Sequence, residues 1–249
     1  MTSDTTLEWF GATTYRLRAR GVTIFLDTWL ERPSVMPQYL SINNVDEADY
    51  IFISHAHFDH LSGADRLAIR TGAIVVANCE AINLLRASGV PENQLLPVAG
   101  GERILLFTRA VREQAIKGEI RAAVGLPGQP VMPDHTFAAF TVHVWPSLHA
   151  YVPNPHPDTM DTKTVYTGEA TPYVCTLDIT QGMKYGLLRL GRIVPPEKLT
   201  EGMRSFIDYV DDKRNVFSHC DGGQLMFNII INGEALLWSA HLGAYEGVI

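Results

Sequence analysis

Between Asp49 and Gly63 a nearly continuous apolar run, Asp49-Tyr-Ile-Phe-Ile-Ser54, passes directly into Ser54-His55-Ala56-His57-Phe58-Asp59-His60-Leu61-Ser62-Gly63. A strand that shows no alternation is covered on both faces, which is the signature of parallel strands layered between other elements. In such α/β sheets the loop leaving the carboxyl end of a strand is where ligands are held. Three histidines and an aspartate at these spacings would meet by chance in roughly one chain in a thousand. The stretch thus sets the class of fold and marks where its chemistry lies.

The flanking segments agree with an α/β (α+β) chain. Thr6 to Phe10, Thr13 to Ala19 and Val22 to Leu26 are short β-branched and aromatic runs punctuated by Gly11 and Gly21, as in an antiparallel meander. After the histidine loop, Ser62 can cap a helix to about Arg70, Ala73 to Ala77 reads as a strand, and Cys79 to Ala87 as a helix stopped by Gly89 and Pro91. Glu102 to Thr108 and Phe137 to Trp145 read as further strands. Prolines 153, 155, 157, 172, 195 and 196 break any regular period, so residues 150 to 215 read as an insertion or lid on one domain spanning 1 to 249. Within it, Tyr173 to Leu177 reads as a strand and Glu197 to Val210 as a helix. Gln224 to Ile231 and Glu234 to Trp238 flank Asn232-Gly233, the pair that supplies two positive φ angles to a hairpin turn.

Composition narrows the function. With 20 Lys+Arg against 27 Asp+Glu, and no basic cluster, a general phosphate-backbone binder is disfavoured. Cys79, Cys175 and Cys220 form no C-x-x-C pair, the N-terminus shows no secretory signal, and no apolar run approaches the roughly 20 residues of a membrane span. The expectation is a cytoplasmic protein acting on a small-molecule substrate, with no nucleic-acid or membrane partner. An apolar sheet edge near Trp238 would favour a homo-oligomer.

In the histidine loop, His55 and His57 alternate and can point to one side, while Asp59 and His60 begin the following turn and point to another, a spacing that suits two adjacent metal positions. Imidazoles with a carboxylate suit Zn²⁺ best, with Mn²⁺ or Fe as further options. A site that only staples a loop would be thiolate-rich, and no cysteine is near.

With its His-x-His-x-Asp-His loop, the sequence resembles the metallo-β-lactamase fold superfamily. Leu7-Glu-Trp-Phe-Gly-Ala-Thr13 resembles the opening strand and turn of its L-ascorbate-6-phosphate lactonase-like branch, and Ile24-Phe-Leu-Asp27 its aspartate-ended third strand. The resemblance implies a four-layer αββα sandwich with the metals at one edge. It implies that His55 and His57 bind a first metal with a third histidine, for which His149 is placed, and that Asp59 and His60 bind a second, Asp59 also handling the attacking water. His241 stands where the family has a metal-bridging aspartate, and only eight residues follow it, so the second half is expected to be incomplete, through truncation or degeneration. One imidazole lone pair cannot bridge two ions.

The function implied is a metal-dependent hydrolase, its zinc-activated water attacking an ester, lactone or amide-type bond. The alternatives are a truncated or degenerate non-catalytic metal-binding relative and a phosphodiesterase or nuclease of the same superfamily. Ser218 to Gly223 reads as a glycine-rich turn with Asp221 bonded to backbone, Asp27 as a hydrogen-bond partner of the metal loop, Trp29 as packing, and Trp145 and Tyr151 as candidate cleft residues.

Overall fold

The computed structural model describes residues 5–147, 149 and 179–241. Strands β1 (Thr6–Trp9), β2 (Tyr15–Ala19) and β3 (Val22–Leu26) form the antiparallel meander expected at the start. Strands β4 (Tyr50–Phe52), β5 (Ile74–Ala77) and β6 (Leu95–Pro97) then add to β3 in parallel, completing a sheet of order β1-β2-β3-β4-β5-β6. A second sheet has the order β10-β9-β8-β7 and is antiparallel throughout: β7 (Arg103–Leu106), β8 (Phe140–Pro146), β9 (Leu225–Ile231) and β10 (Glu234–Ser239).

The absence of alternation in β3 and β4 now has its cause. Successive residues point to opposite sides, and here both sides are core. Phe25, Ile51, Ile53 and Val75 pack with Leu61, Leu67, Ile82 and Leu85 of the helical side. Ile24, Leu26, Tyr50, Phe52 and Val76 pack with Phe140, Val142, Phe227 and Ile229 of the second sheet. Phe52 meets Phe227 edge to face at 5.0 Å, and Phe227 stacks on Trp238 at 5.8 Å. Helices, six-stranded sheet and four-stranded sheet are three successive layers of the αββα sandwich. The outer face of the four-stranded sheet carries Trp145 and Leu237, 39% and 51% exposed.

The helix expected from Ser62 to about Arg70 is present, and a separate short turn precedes it. A short turn α1 (Phe58–Leu61) begins inside the histidine motif, and α2 (Ala64–Thr71) starts after Gly63 at φ 91°. That left-handed angle suits glycine, and a Cβ there would lie 2.6 Å from Ile42 Cδ1. The break lets α1 run in its own direction, so Asp59 and His60 are presented separately from the helix behind them. Helix α3 (Cys79–Ala87) is capped by Asn78, whose side chain accepts from Ala81 N–H. Two elements lacked a sequence signal. β6 is three residues ending in proline, and α4 (Arg109–Ile116) buries only Ala115, which leaves no apolar period to read.

Within the expected insertion, α5 (Glu201–Asp211) is capped by Thr200 and buries Ser205 and Tyr209. The strand expected at Tyr173 to Leu177 lies outside the described residues. Asn232 (φ 54°) and Gly233 (φ 86°) make the hairpin turn expected between β9 and β10. No helix among the described residues is long and apolar enough to cross a membrane.

Because Phe227 is fully buried at the contact between the sheets, Phe227→Ala is expected to lower unfolding stability by about 3–5 kcal/mol. Denaturant titration of the variant measures this, and a loss below about 1 kcal/mol would mean the sheets do not share one core.

Candidate metal centre

Five histidines from three chain regions converge at the carboxyl end of β4. His55, His57 and His149 bring one ring nitrogen each into a group within 4.8 Å, and His55, His60 and His241 form a second such group. Ring centroids of His55 lie 4.7 Å from His57, 4.8 Å from His149, 3.9 Å from His60 and 5.3 Å from His241. His57 Nδ1 and His149 Nε2 are 3.2 Å apart. That spacing matches about 3.3 Å expected for two nitrogens each bound at about 2.05 Å to one tetrahedral ion.

The donor set fits a cation on two counts. His55 Nε2 is buried without a hydrogen-bond partner, and an orphaned buried nitrogen of this kind calls for an ion or a water; the unpartnered Nε2 of His57 is the ring nitrogen that does not face His149. His55, His57 and His241 are also held neutral, as metal ligands must be. Burial, reinforced by the neighbouring imidazoles, holds His55 well below the ordinary histidine range. Burial and the nearby His149 lower His57 to about 4, and burial with His60 and His149 lowers His241 to about 4.

His60 is the exception. Its burial favours neutrality, but Asp27 and Asp59 outweigh that and raise it to about 10. Nδ1 of His60 is 2.5 Å from Asp27 Oδ2, while Nε2 lies 3.3 Å from Asp59 Oδ2 and 3.0 Å from His241 Nε2. An imidazolium donating from both nitrogens accounts for all three neighbours, with neutral His241 accepting. Against the upward push of burial, His60 holds the Asp59 carboxyl well below the usual carboxylate range. Asp59 therefore stands ionised at the rim of the cluster, in neither histidine group.

Asp27 is the partner of the loop that the sequence suggests. It accepts from Ser54 N–H at 2.9 Å, from the Ser54 hydroxyl at 3.1 Å and from the Thr13 hydroxyl at 2.9 Å, besides its contact with His60. Ser54 Oγ also lies 2.9 Å from His55 Nδ1, which leaves His55 one nitrogen for a metal. That single nitrogen cannot serve both histidine groups at once.

On the opposite side, Ser218 to Gly223 holds the loop through backbone bonds: Ala56 N–H donates to Asp221 O, Ser218 N–H to Ala56 O, and Asn78 Nδ2 to Asp221 O and Gly223 O. Gly223 N–H donates to Asp221 Oδ1, so the glycine-rich turn is as expected. Gln224, buried, donates through Nε2 to the His241 carbonyl and to Ser147 Oγ, tying the approaches to His241 and His149 together. Sequence reasoning passed over Gln224 and Ser54. Their only signal is position, at the start of β9 and just before His55.

Trp29 is packing, as expected, buried against Phe58 and Tyr209. His143 sits mid-strand in β8 opposite Asn228 and Arg103, and His135 is exposed beside Asp134, so neither joins the cluster. Tyr151 and His156 lie outside the described residues.

The chain is similar to known proteins over part of its length. Residues 23–150 match the family described as "Beta-lactamase superfamily domain". A UPF0173 metal-dependent hydrolase of Anaeromyxobacter sp. (strain K) is 35% identical over 91 residues, 36% of this chain and 33% of that protein. One of Pyrobaculum islandicum is 31% identical over 100 residues, 40% and 44% of the two chains. The chain thus spans less than half the length of these curated relatives. Among solved structures, Igni18, a metallo hydrolase from Ignicoccus hospitalis KIN4/I, aligns over 97% of this chain and 63% of its own with a TM-score of 0.46 at 16% identity.

The histidine shifts predict how the metal-free chain responds to pH. His57 and His241 stay neutral in the fold down to about 4, below the ordinary value of 6.5, so they contribute stability above 6.5 that is lost as pH falls from 6.5 through 4. His60, raised to about 10, contributes stability that is complete below 6.5 and lost as pH rises from 6.5 through 10. Denaturant midpoints measured in chelator should therefore decline on both sides, and Asp27→Asn should flatten the alkaline decline, relative to the wild-type chain.

Proposed function

The chain belongs to the beta-lactamase superfamily, and we propose that it is a metal-dependent hydrolase with its ion held by His55, His57 and His149. The convergence of these three histidines, with the orphaned Nε2 of His55 and the 3.2 Å spacing of His57 Nδ1 and His149 Nε2, carries the reading. Zn²⁺ suits three imidazole ligands best, and Mn²⁺ or Fe would also be accepted. A divalent ion there would supply Lewis-acid chemistry, lowering the pKa of water and polarising a substrate carbonyl.

The chain's own residues would do the rest. Asp59, ionised at the rim, would take the proton of the attacking water and orient it. His60, fixed between Asp27 and Asp59, holds that carboxylate in place. An ester, lactone or amide-type bond of a small molecule is the substrate class proposed, in a single domain whose specificity would come from residues 150 to 215. A water molecule needs one activating ion, and His55 cannot supply two, so one ion per chain is the expected loading.

A second reading, a metal-binding relative without turnover, draws support from His241. It stands beside His60 and His149 where a bridging carboxylate would offset the charge of two ions.

Purified chain is expected to carry Zn, Mn or Fe that a His55→Ala/His57→Ala variant lacks; equal metal in both would remove the basis of the proposal. Asp59→Ala should lower turnover of an ester and lactone panel by about 10²–10⁴-fold while metal content persists. Retained turnover would dismiss Asp59 as the base, and absent turnover in the metal-loaded wild type would favour the second reading. His241→Asp should add a second bound ion, read as metal stoichiometry, if the missing carboxylate limits the centre.

A further inference from the structure

One residue past Asp27, Thr28 turns toward the metal loop. Asp27 N–H donates to Phe52 O at 2.8 Å at the end of the β3–β4 pairing, and the left-handed angle of Asp27, φ 52°, then takes the chain out of the sheet. Thr28 is fully buried and meets the carbonyl end of α1 with both of its donors. Its N–H donates to His60 O at 2.9 Å, and its hydroxyl lies 3.2 Å from His60 O and 3.2 Å from Leu61 O. A hydroxyl has one proton, so the two carbonyls share it. The Thr28 carbonyl would lie 3.4 Å from a Cβ at Gly63, so Thr28 also lies against the break between α1 and α2.

These contacts fall where α1 lacks its own. His60 N–H and Leu61 N–H both donate to His57 O, at 3.2 and 2.9 Å, which closes the turn at its amino end. The carbonyls at the other end of a helix have no intrahelical partner, and a four-residue turn fixes several dihedrals for few bonds of its own. We infer that Thr28 is a positioning residue: with its hydroxyl and N–H it fixes the carbonyl end of α1 to the end of β3, and so sets the direction in which Asp59 is presented beside the histidines. Asp27 alone would not suffice. It holds His60 through the ring, and a hold on the ring leaves the backbone of the turn free to rotate about the side-chain torsions between them. Gripped at ring and carbonyl by two adjacent residues, His60 loses that freedom. Asp59 precedes it on the same turn, with its carboxylate 3.3 Å from His60 Nε2. Ser62 Oγ reaches Val216 O only at 3.5 Å, a weaker hold on the same end.

This inference rests on the proposed function for its kinetic arm only. The first measurement is hydrogen exchange in metal-free protein, where the amides of His60 and Leu61 report whether α1 is closed. Thr28→Val keeps the shape and removes the hydroxyl, and it should speed exchange at these two amides by about ten-fold while residues 74–77 of β5 hold. Thr28→Ser restores the hydroxyl and should bring both amides back to within about two-fold of the wild type. In the kinetic arm, Thr28→Val should lower kcat about ten-fold with KM and bound metal nearly unchanged, Thr28→Ser should recover kcat, and Thr28→Val should cost nothing further in an Asp59→Ala background. Should Thr28→Val not fold, Thr28→Ala, which removes the same hydroxyl without setting a methyl in its place beside two carbonyls, carries the same expectations. Unchanged exchange at His60 and Leu61, a rise spread evenly over the domain, a Thr28→Ser variant no better than Thr28→Val, or a full additional loss beside Asp59→Ala would each overturn it. Should the metal-loaded chain have no turnover, the hydrolase reading fails, and the exchange pattern still decides the role of Thr28.

Discussion

A single buried carboxylate, Asp27, joins the elements on which the site depends. It ends β3 at φ 52°, a left-handed angle that aspartate tolerates better than most residues, and is fully buried. An ion in that position survives only if its oxygens are satisfied. They are satisfied by Thr13 from the meander, by Ser54 at the end of β4 and by His60 on α1. The cost of burying the charge is what locks these three segments together, since loss of any one partner would leave part of it unpaired. The same contact makes His60 an imidazolium, which in turn keeps Asp59 ionised. Structure and proton inventory therefore share one origin.

Around this point the loop is clamped from two sides by unlike means. Toward Ser218 to Gly223 and β9 the bonds are backbone to backbone, with Leu225 N–H donating to Ser54 O, so side-chain identity matters little there beyond Asn78 and the glycines. Gly222 shows why: a Cβ at that position would lie 2.4 Å from Glu80 Cβ. Toward α5 the grip is aromatic, with edge-to-face pairs worth about 0.5–1.5 kcal/mol each beyond area burial. The first clamp is a property of the sandwich. The second comes from α5, whose Phe206 and Tyr209 pack on Phe58 at the start of Asp59's turn.

Much of this was legible in the residues. The apolar run at β4 was readable because both faces of that strand are core, and Asn-Gly because its turn demands positive φ. His55, His57, Asp59 and His60 were readable because metal chemistry restricts residue type and spacing together. His149 and His241 required the family resemblance, since each is a lone histidine far along the chain from the loop with no local pattern of its own. The helix after the loop was readable to within a residue of its start, but the separate turn α1 was not, because the change of direction is made by Gly63 and leaves no apolar period. α4 was silent because it buries one residue. Gln224 and Tyr209 carry no motif, and their roles follow from what the fold sets beside them.

The sequence by itself determined that a strand buried on both faces ends in a loop of metal-ligand type, because periodicity and side-chain chemistry are local and survive in one dimension. Which nitrogens meet was decided only in three dimensions. Proximity made His55 common to both groups, and its Nδ1, engaged by Ser54, left it one nitrogen to give. Burial made three imidazoles neutral, and two carboxylates from different segments made the fourth a cation. Those outcomes depend on distances between residues far apart in the chain, and electrostatic energy in a protein interior changes steeply over a few ångströms.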